Sequence, residues 1–215
     1  EEVCITYGLH DNATLLTEYG FVLPYHVGED DQQIQANQWL GNPHAGVWLD
    51  EAVEHMVQSQ GEAGAWKRTL LQQAGYWGDY TMHPCPAPAH PSHRLHTALR
   101  LLCMDVDFHA QEHGGLHARL SNKPRKPYAY TAQDAERVWR LVMQGRREQV
   151  SPSNEQSVRD KVIALCDDIT RGHATRLHRL KGVDHVSASM VRALLKEECH
   201  IASLVKASAE RADPW

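Results

Sequence analysis

The sequence predicts a mainly α-helical protein in which a short strand and a short helix precede a longer helical domain. Two observations carry this prediction. Apolar residues recur at helical spacing along most of the chain. The first residues alternate instead, because Val3, Ile5 and Tyr7 fall on one face of an extended segment while Cys4 and Thr6 fall on the other.

The opening strand is expected to lead into a short helix over 13–18, with Asn12 as its N-cap and Gly20 as its end. Thr131 is expected to cap a later helix, and the Ser-Asn-Glu-Gln run 153–156 fits a capping box. The proline-rich stretch 83–93 is expected to lack regular structure. Further helices are predicted from apolar stripes over 49–57, 66–74, 95–103, 135–142, 158–169 and 191–205.

Three regions follow from these patterns. Residues 1–25 hold the strand and the short helix, the polar and glycine-containing stretch 26–46 is interpreted as a linker, and residues 47–215 form the helical domain. The charged residues of Trp-Lys-Arg 66–68 are interpreted as ordinary helix-end charges.

Composition narrows the class of protein. The chain of 215 residues is 42% hydrophobic and 23% charged, with a net charge of −5, which argues against a non-specific nucleic-acid or membrane-surface binder. The five cysteines are widely spaced and form no Cys-x-x-Cys pair, a pattern that favours reduced thiols in an intracellular protein. We therefore expect a cytoplasmic or nuclear location, or both.

The opening segment EEVCITYGLHDNATLLTEYGFVLP (1–24) resembles the end of the SET domain in protein-lysine methyltransferases of the RuBisCO large-subunit methyltransferase type. In that family a strand reaches a Tyr-Gly, a helix follows an Asn-containing turn, and a Tyr-Gly-Phe ends the domain. The rest of the chain resembles the helical substrate-binding domain of the same family. The segments that carry this second resemblance are PSHRLHTALRLLCMD (91–105), VSPSNEQSVRDKVIALCDDI (150–169) and VRALLKEECHIASLVKASAE (191–210).

This resemblance implies methyl transfer from S-adenosylmethionine to a lysine of a protein substrate. It also implies that Tyr7 is the catalytic tyrosine, that Tyr19 lines the pocket for the target lysine, and that Phe21 forms a wall between this lysine channel and the cofactor. Such roles suit aromatic residues, because their rings form apolar walls that attract an ammonium group and a phenol oxygen can orient the amine. The helical domain would then present the protein substrate.

The sequence also departs from the family pattern. It contains no Gly-x-Gly and no Asn-His, the two features with which the family binds S-adenosylmethionine. The cofactor-binding residues therefore stay unassigned, and we expect the chain to begin inside a catalytic domain and to be inactive alone. The alternative is a non-catalytic helical module for protein interaction, in which the SET-like segment is only structural.

The fifteen histidines raise the question of a metal site. His109, His113 and His117 are spaced for one helix face, and several histidines and Cys85 crowd the stretch 83–96. Gly114 and Gly115 disfavour a regular helix there, and no Cys-x-x-Cys or His-Glu-x-x-His frames a site, so we expect no metal. The basic run Lys-Pro-Arg-Lys 123–126 is interpreted as an exposed loop rather than a nuclear-import signal or a nucleic-acid patch.

Overall fold

The computed structural model describes residues 8–23, 39, 41–107 and 129–215, and its fold is mainly α, as predicted. The predicted strand Val3–Tyr7 and the basic run 123–126 lie outside the described residues, as does most of the stretch 26–46. Among the described helices, none combines the length and the apolar character that crossing a membrane requires.

The elements alternate irregularly along the chain. The helices are α1 (Asn12–Thr14, continued by a π-helical turn Leu15–Tyr19), α2 (Asp50–Ser59), α3 (Gly61–Gln73), α4 (His93–Leu102), α5 (Ala132–Met143), α6 (Pro152–Arg179) and α7 (Val186–Glu210). The strands are β1 (Val47–Trp48), β2 (Thr81–His83), β3 (His90–Pro91), β4 (Val106–Asp107) and β5 (Tyr130–Thr131).

The described chain divides into two compact units. Unit 1 comprises residues 1–49, 81–92 and 162–215, and unit 2 comprises 50–80 and 93–161. The chain passes between them several times, so the units are not consecutive stretches of sequence. These units do not test the predicted boundaries at residues 25 and 46, which stay a prediction.

Unit 1 is built on a small antiparallel sheet in the order β1-β2-β3, against which α7 packs. Met82, on the central strand, pairs with Val47 on one side and with Pro91 on the other. The expectation that 83–93 lacks regular structure is therefore wrong, because β3 includes Pro91. Proline is tolerated there since β3 is an edge strand, whose outer side requires no ladder hydrogen bond.

Unit 2 packs helices around Trp139 of α5. The indole is fully buried and donates from its Nε1 to the carbonyl oxygen of Thr97 at 2.9 Å, which ties α5 to α4. A second tie joins α4 to the start of α6, where Arg100 binds the carboxylate of Glu155 through two hydrogen bonds of 2.8 and 3.1 Å. The two short strands β4 and β5 pair in parallel beside these helices.

The N-caps predicted for α5 and α6 have different outcomes. Thr131 caps α5 as predicted, since its hydroxyl accepts a hydrogen bond from the backbone N–H of Asp134 at 3.1 Å. The predicted box at Ser153 is wrong by two residues. Ser151 accepts from the N–H of Asn154 at 3.1 Å, and Pro152 takes the first helical position, where a missing N–H costs nothing.

Lys67 is a buried cation at the centre of unit 2. It lies in the middle of α3 rather than at a helix end, so the interpretation of residues 66–68 as helix-end charges is wrong for this side chain. Its Nζ donates to Gln60 Oε1 and to the carbonyl oxygens of Leu102 and Met104, at 2.8, 2.9 and 2.7 Å. Lys67 thereby satisfies a carbonyl at the end of α4, where intrahelical donors run out.

Burial lowers the pKa of Lys67 to about 8, although the neighbouring Cys103 and Asp105 act in the opposite direction. The ammonium is still charged near neutral pH, and all three of its protons are engaged. Lys67 is consequently a structural residue that closes the end of α4.

We expect Lys67→Met to lower the free energy of unfolding by roughly 2–3 kcal/mol, because it leaves three buried acceptors without their donor. Denaturant unfolding measures this change. The control is Lys196→Met on an exposed position of α7, which should change stability by less than about 0.5 kcal/mol. Equal stability of the two variants would show that the carbonyl groups find other partners.

Candidate functional site

The candidate site is the segment 8–23, which carries the Tyr-Gly-Phe of the family resemblance and belongs to unit 1. Its helix begins one residue earlier than predicted, at Asn12, because Asp11 rather than Asn12 is the N-cap. The Asp11 Oδ1 atom accepts a hydrogen bond from the N–H of Thr14 at 2.7 Å. Gly20 ends the helical part with a φ of 76°, a backbone conformation that glycine adopts without strain.

Asp11 has a second partner outside the segment. Its Oδ2 accepts a hydrogen bond from the indole Nε1 of Trp48 at 2.6 Å. The same carboxylate therefore caps the helix and holds the first strand of the sheet beside it. A further tie comes from Asn42, whose side-chain nitrogen donates to the carbonyl oxygen of His10 at 2.8 Å.

The two ends of the segment are joined by the side chain of Asn12. Its Oδ1 accepts from the N–H of Leu23 at 2.8 Å, and its Nδ2 donates to the carbonyl oxygen of the same residue at 3.2 Å. The amide thus pairs with Leu23 as a backbone peptide would in a sheet. This pairing closes residues 12–23 into a loop, with the π-helical turn and Gly20 at its far end.

Asn12 also binds α7 directly. The Nδ2 atom lies 3.0 and 2.9 Å from the two carboxylate oxygens of Glu197, and both residues are only 2% exposed. Within the described residues Asn12 is the one hydrogen-bond donor to this carboxylate. One buried amide therefore connects the loop, its own C-terminal end and the long helix α7.

The environment of Glu197 raises the pKa of its carboxyl group. Burial raises its pKa to about 7, the hydrogen bond from Asn12 opposes the shift, and the nearby carboxylates of Glu198 and Asp11 add to it. A buried carboxylate with a single amide donor is costly to ionise. Glu197 therefore keeps its proton to a higher pH than an ordinary glutamate does.

The structure places two of the three predicted site residues. Tyr19 ends the π-helical turn with 46% of its surface exposed, and its ring centroid lies 5.9 Å from that of His10. Phe21 follows directly after Gly20 and is half-buried. Tyr7 lies outside the described residues, so its catalytic role stays a prediction. Tyr19 and Phe21 flank Gly20 at the far end of one loop, and π-helical turns such as this one often accompany function.

Two of the described glycines leave no room for a cofactor such as S-adenosylmethionine. Close approach to a cofactor requires glycines whose missing side chain leaves room. At Gly64 that room is filled, since an added Cβ would lie 1.9 Å from the carbonyl oxygen of Val57. At Gly41 the indole of Trp39 fills it at 2.6 Å. We assign no cofactor-binding residue and derive no step of the reaction through the cofactor.

Unit 2 contains a cavity of about 550 Å³ that the sequence did not predict. Its polar lining includes Lys67, Asn154 and Cys103. The ammonium of Lys67 is fully engaged, and burial raises the pKa of the Cys103 thiol to about 11, so this thiol stays protonated. Lys67 and Cys103 therefore supply this cavity with neither an active nucleophile nor a general base near neutral pH.

Three of the four histidines of 83–96 have polar partners near their ring nitrogens. His83 contacts Thr81 Oγ1 at 2.8 Å, His90 contacts the carbonyl oxygen of Pro88 at 2.8 Å, and the His96 Nε2 lies 3.4 Å from Glu155. In the part of the chain that the structure describes, no group of three or more His, Cys, Asp or Glu could hold a metal ion. The triad 109, 113 and 117 lies outside that part.

Sequence reasoning missed Asp11, Trp48 and Glu197. A signal for Glu197 was present, because it lies three residues after Leu194 and four before Ile201, on the apolar stripe of its helix. A carboxylate on such a stripe is either paired or shifted in pKa. The partner could not be read from the sequence, since Asn12 is 185 residues away.

Comparison with known proteins finds three relatives. The chain is 28% identical to mouse (Mus musculus) SET domain-containing protein 4 over 218 residues, which cover 98% of this chain and 38% of the relative. Ribosomal lysine N-methyltransferase set11 of Schizosaccharomyces pombe is 32% identical over 38% of this chain and 15% of its own length. Human (Homo sapiens) SET domain-containing protein 4 is 34% identical over 50% of this chain and 20% of its own.

The chain thus spans well under half the length of the curated relatives it matches. No family model and no solved structure matches it. The relatives support a relationship to SET-domain methyltransferases, and one of them is named as a lysine methyltransferase.

We expect Asp11→Ala to weaken the segment locally, because it removes the helix cap and the acceptor for Trp48 together. Loss of a cap costs about 1 kcal/mol, which corresponds to a protection loss of roughly five- to tenfold for the amides of 12–20. Hydrogen exchange followed by mass spectrometry measures it. Glu18→Ala, an exposed acidic residue of the same segment, is the matched control. Identical exchange in both variants would contradict the capping role.

Proposed function

We propose that this chain is the C-terminal part of an S-adenosylmethionine-dependent protein-lysine N-methyltransferase of the RuBisCO large-subunit methyltransferase type. Its helical region would present the protein substrate. The observation that carries the proposal is the closed loop 12–23, in which Tyr19 ends a π-helical turn and Phe21 follows after Gly20. The similarity to SET domain-containing protein 4 along 98% of the chain supports it.

The roles of the residues follow from their chemistry. Tyr7 orients the amine of the target lysine through its hydroxyl, and Tyr19 lines the channel that this amine enters. Phe21 adds an apolar wall. Tyr19 suits its role because nearly half of its surface is exposed and is therefore accessible to a substrate side chain. An aromatic face also attracts an alkylammonium group.

The direct experiment is a methyl-transfer assay with labelled S-adenosylmethionine, using the full-length protein and the 215-residue chain in parallel. Ribosomal proteins, histones and other cytosolic proteins serve as candidate substrates. Transfer by the full-length protein and none by the 215-residue chain is the expected result. Absence of transfer by both would favour the alternative, a helical module for protein interaction.

Tyr7→Phe in the full-length protein is expected to lower kcat by roughly 10²–10³, since it removes a preorganised polar contact to the reacting amine. The melting temperature should stay unchanged because the ring remains. Tyr76→Phe, in unit 2, is the matched control and should keep full activity. Full activity in a stable Tyr7→Phe protein would end the catalytic assignment.

Tyr19→Phe is expected to act more gently and to change how many methyl groups the lysine receives, because it alters the hydrogen bonding around the amine. Mass spectrometry of the methylated product measures the distribution of mono-, di- and trimethyl-lysine. Stability should change by less than about 0.5 kcal/mol, since the side chain is 46% exposed. An unchanged product distribution would remove Tyr19 from the pocket.

A further inference from the structure

The position of the candidate pocket depends on a contact far from it in sequence. Tyr19 and Phe21 stand at the far end of the loop 12–23, whose two ends meet at Asn12. Asn12 is held in turn by both carboxylate oxygens of Glu197 on α7. The helix α7 packs on the sheet of unit 1 and provides a rigid support.

We propose that Glu197 is a positioning residue: through Asn12 it holds the loop 12–23 against α7 and so fixes where Tyr19 and Phe21 stand. The assignment of these two residues to a lysine pocket rests on the proposed function. The role of Glu197 in holding the loop does not rest on that function, because it concerns only which contact keeps the loop in place.

The geometry distinguishes this contact from ordinary packing. The apolar side chain of Leu15 is also buried, but apolar contacts are non-directional and tolerate sliding. Asn12 uses both of its polar atoms, and each hydrogen bond fixes a direction. Because Glu197 aligns the same amide that closes the loop, a change at this carboxylate alters both the closure and the docking.

Protonation of Glu197 gives the contact a pH dependence. Docking raises the pKa of this carboxyl to about 7 from an ordinary value of 4.5, chiefly through burial. The docked state therefore binds the proton more tightly than an opened state in which water reaches the carboxyl. Docking weakens as pH rises from about 4.5 to about 7, and it changes no further above that range.

Other titratable groups face Glu197 from the elements packed around it. The carboxylates of Asp11 and Glu198 raise its pKa, and burial lowers the pKa of the nearby His200. Glu198 is itself paired with His173 of α6. Because these other titratable groups surround the contact, the pH profile of the wild type alone does not identify Glu197. The difference between the pH profiles of the wild type and of Glu197→Gln identifies it.

The test is hydrogen exchange of the 215-residue chain between pH 5 and pH 8, corrected for intrinsic exchange. Glu197→Ala removes the acceptor, Glu197→Gln keeps the shape and the acceptor but cannot ionise, and Glu210→Gln is the matched control on the exposed face of α7. Peptides covering 12–23 report on docking. Peptides covering 201–210 of α7 report on the stability of the rest of unit 1.

In the wild type and in Glu210→Gln, protection of 12–23 should fall by at least about tenfold between pH 5 and pH 7 and then level off. In Glu197→Gln it should stay constant over this range. In Glu197→Ala it should be at least about tenfold lower than in the wild type at pH 5, with the protection of 201–210 unchanged. Wild-type protection in Glu197→Ala would overturn the proposal. A wild-type pH profile in Glu197→Gln would assign the pH dependence to other groups.

Methyl transfer by the full-length protein then separates two claims: that Glu197 positions the loop, and that the loop forms a lysine pocket. If Glu197 positions the lysine pocket, Glu197→Ala shifts the distribution of methylation states in the same direction as Tyr19→Phe, which a general loss of folded protein would not do. If exchange behaves as expected but the wild type transfers no methyl groups, the proposed function fails and the positioning role stands.

Discussion

The candidate site depends on the hydrogen bonds that the side chain of Asn12 makes. This side chain has four polar partners within one buried environment: the N–H and C=O of Leu23 and the two carboxylate oxygens of Glu197. A buried amide has strict requirements, because each unsatisfied donor or acceptor costs free energy. These hydrogen bonds bring Leu23 back to the start of α1, and they hold the loop 12–23 against α7.

The same physical rule recurs elsewhere in the fold. Lys67 satisfies the carbonyl groups at the end of α4, Trp139 binds a carbonyl of the same helix, and Asp11 connects a helix start to a strand. Each of these groups is polar, and each joins elements distant in sequence. Apolar burial supplies the main driving force for folding but leaves many arrangements close in energy, and directional contacts select among them.

These observations bear on how the helical part relates to the SET-like segment. The relatives are proteins named for a SET domain, and this chain aligns with one of them along 98% of its length. Glu197 and the sheet that supports α7 belong to the same unit as Tyr19 and Phe21. The helical region therefore does more than adjoin the segment, because its last helix provides the acceptor that holds the segment in place.

The sequence by itself determined the helices with long apolar stripes, the cap at Thr131 and the end at Gly20. Local periodicity and backbone preference are sufficient for these features, since they involve neighbours within four residues. Tertiary structure decided the sheet, the burial of Lys67, the choice of Asp11 over Asn12 as cap, and the pairing of Asn12 with Glu197. The strands of the sheet are two or three residues long, too short for a periodic signal, and the polar pairs join residues up to 185 positions apart. Asn12 was available to cap its helix, yet its Oδ1 accepts from the N–H of Leu23 instead, and the carboxylate of Asp11 took the cap.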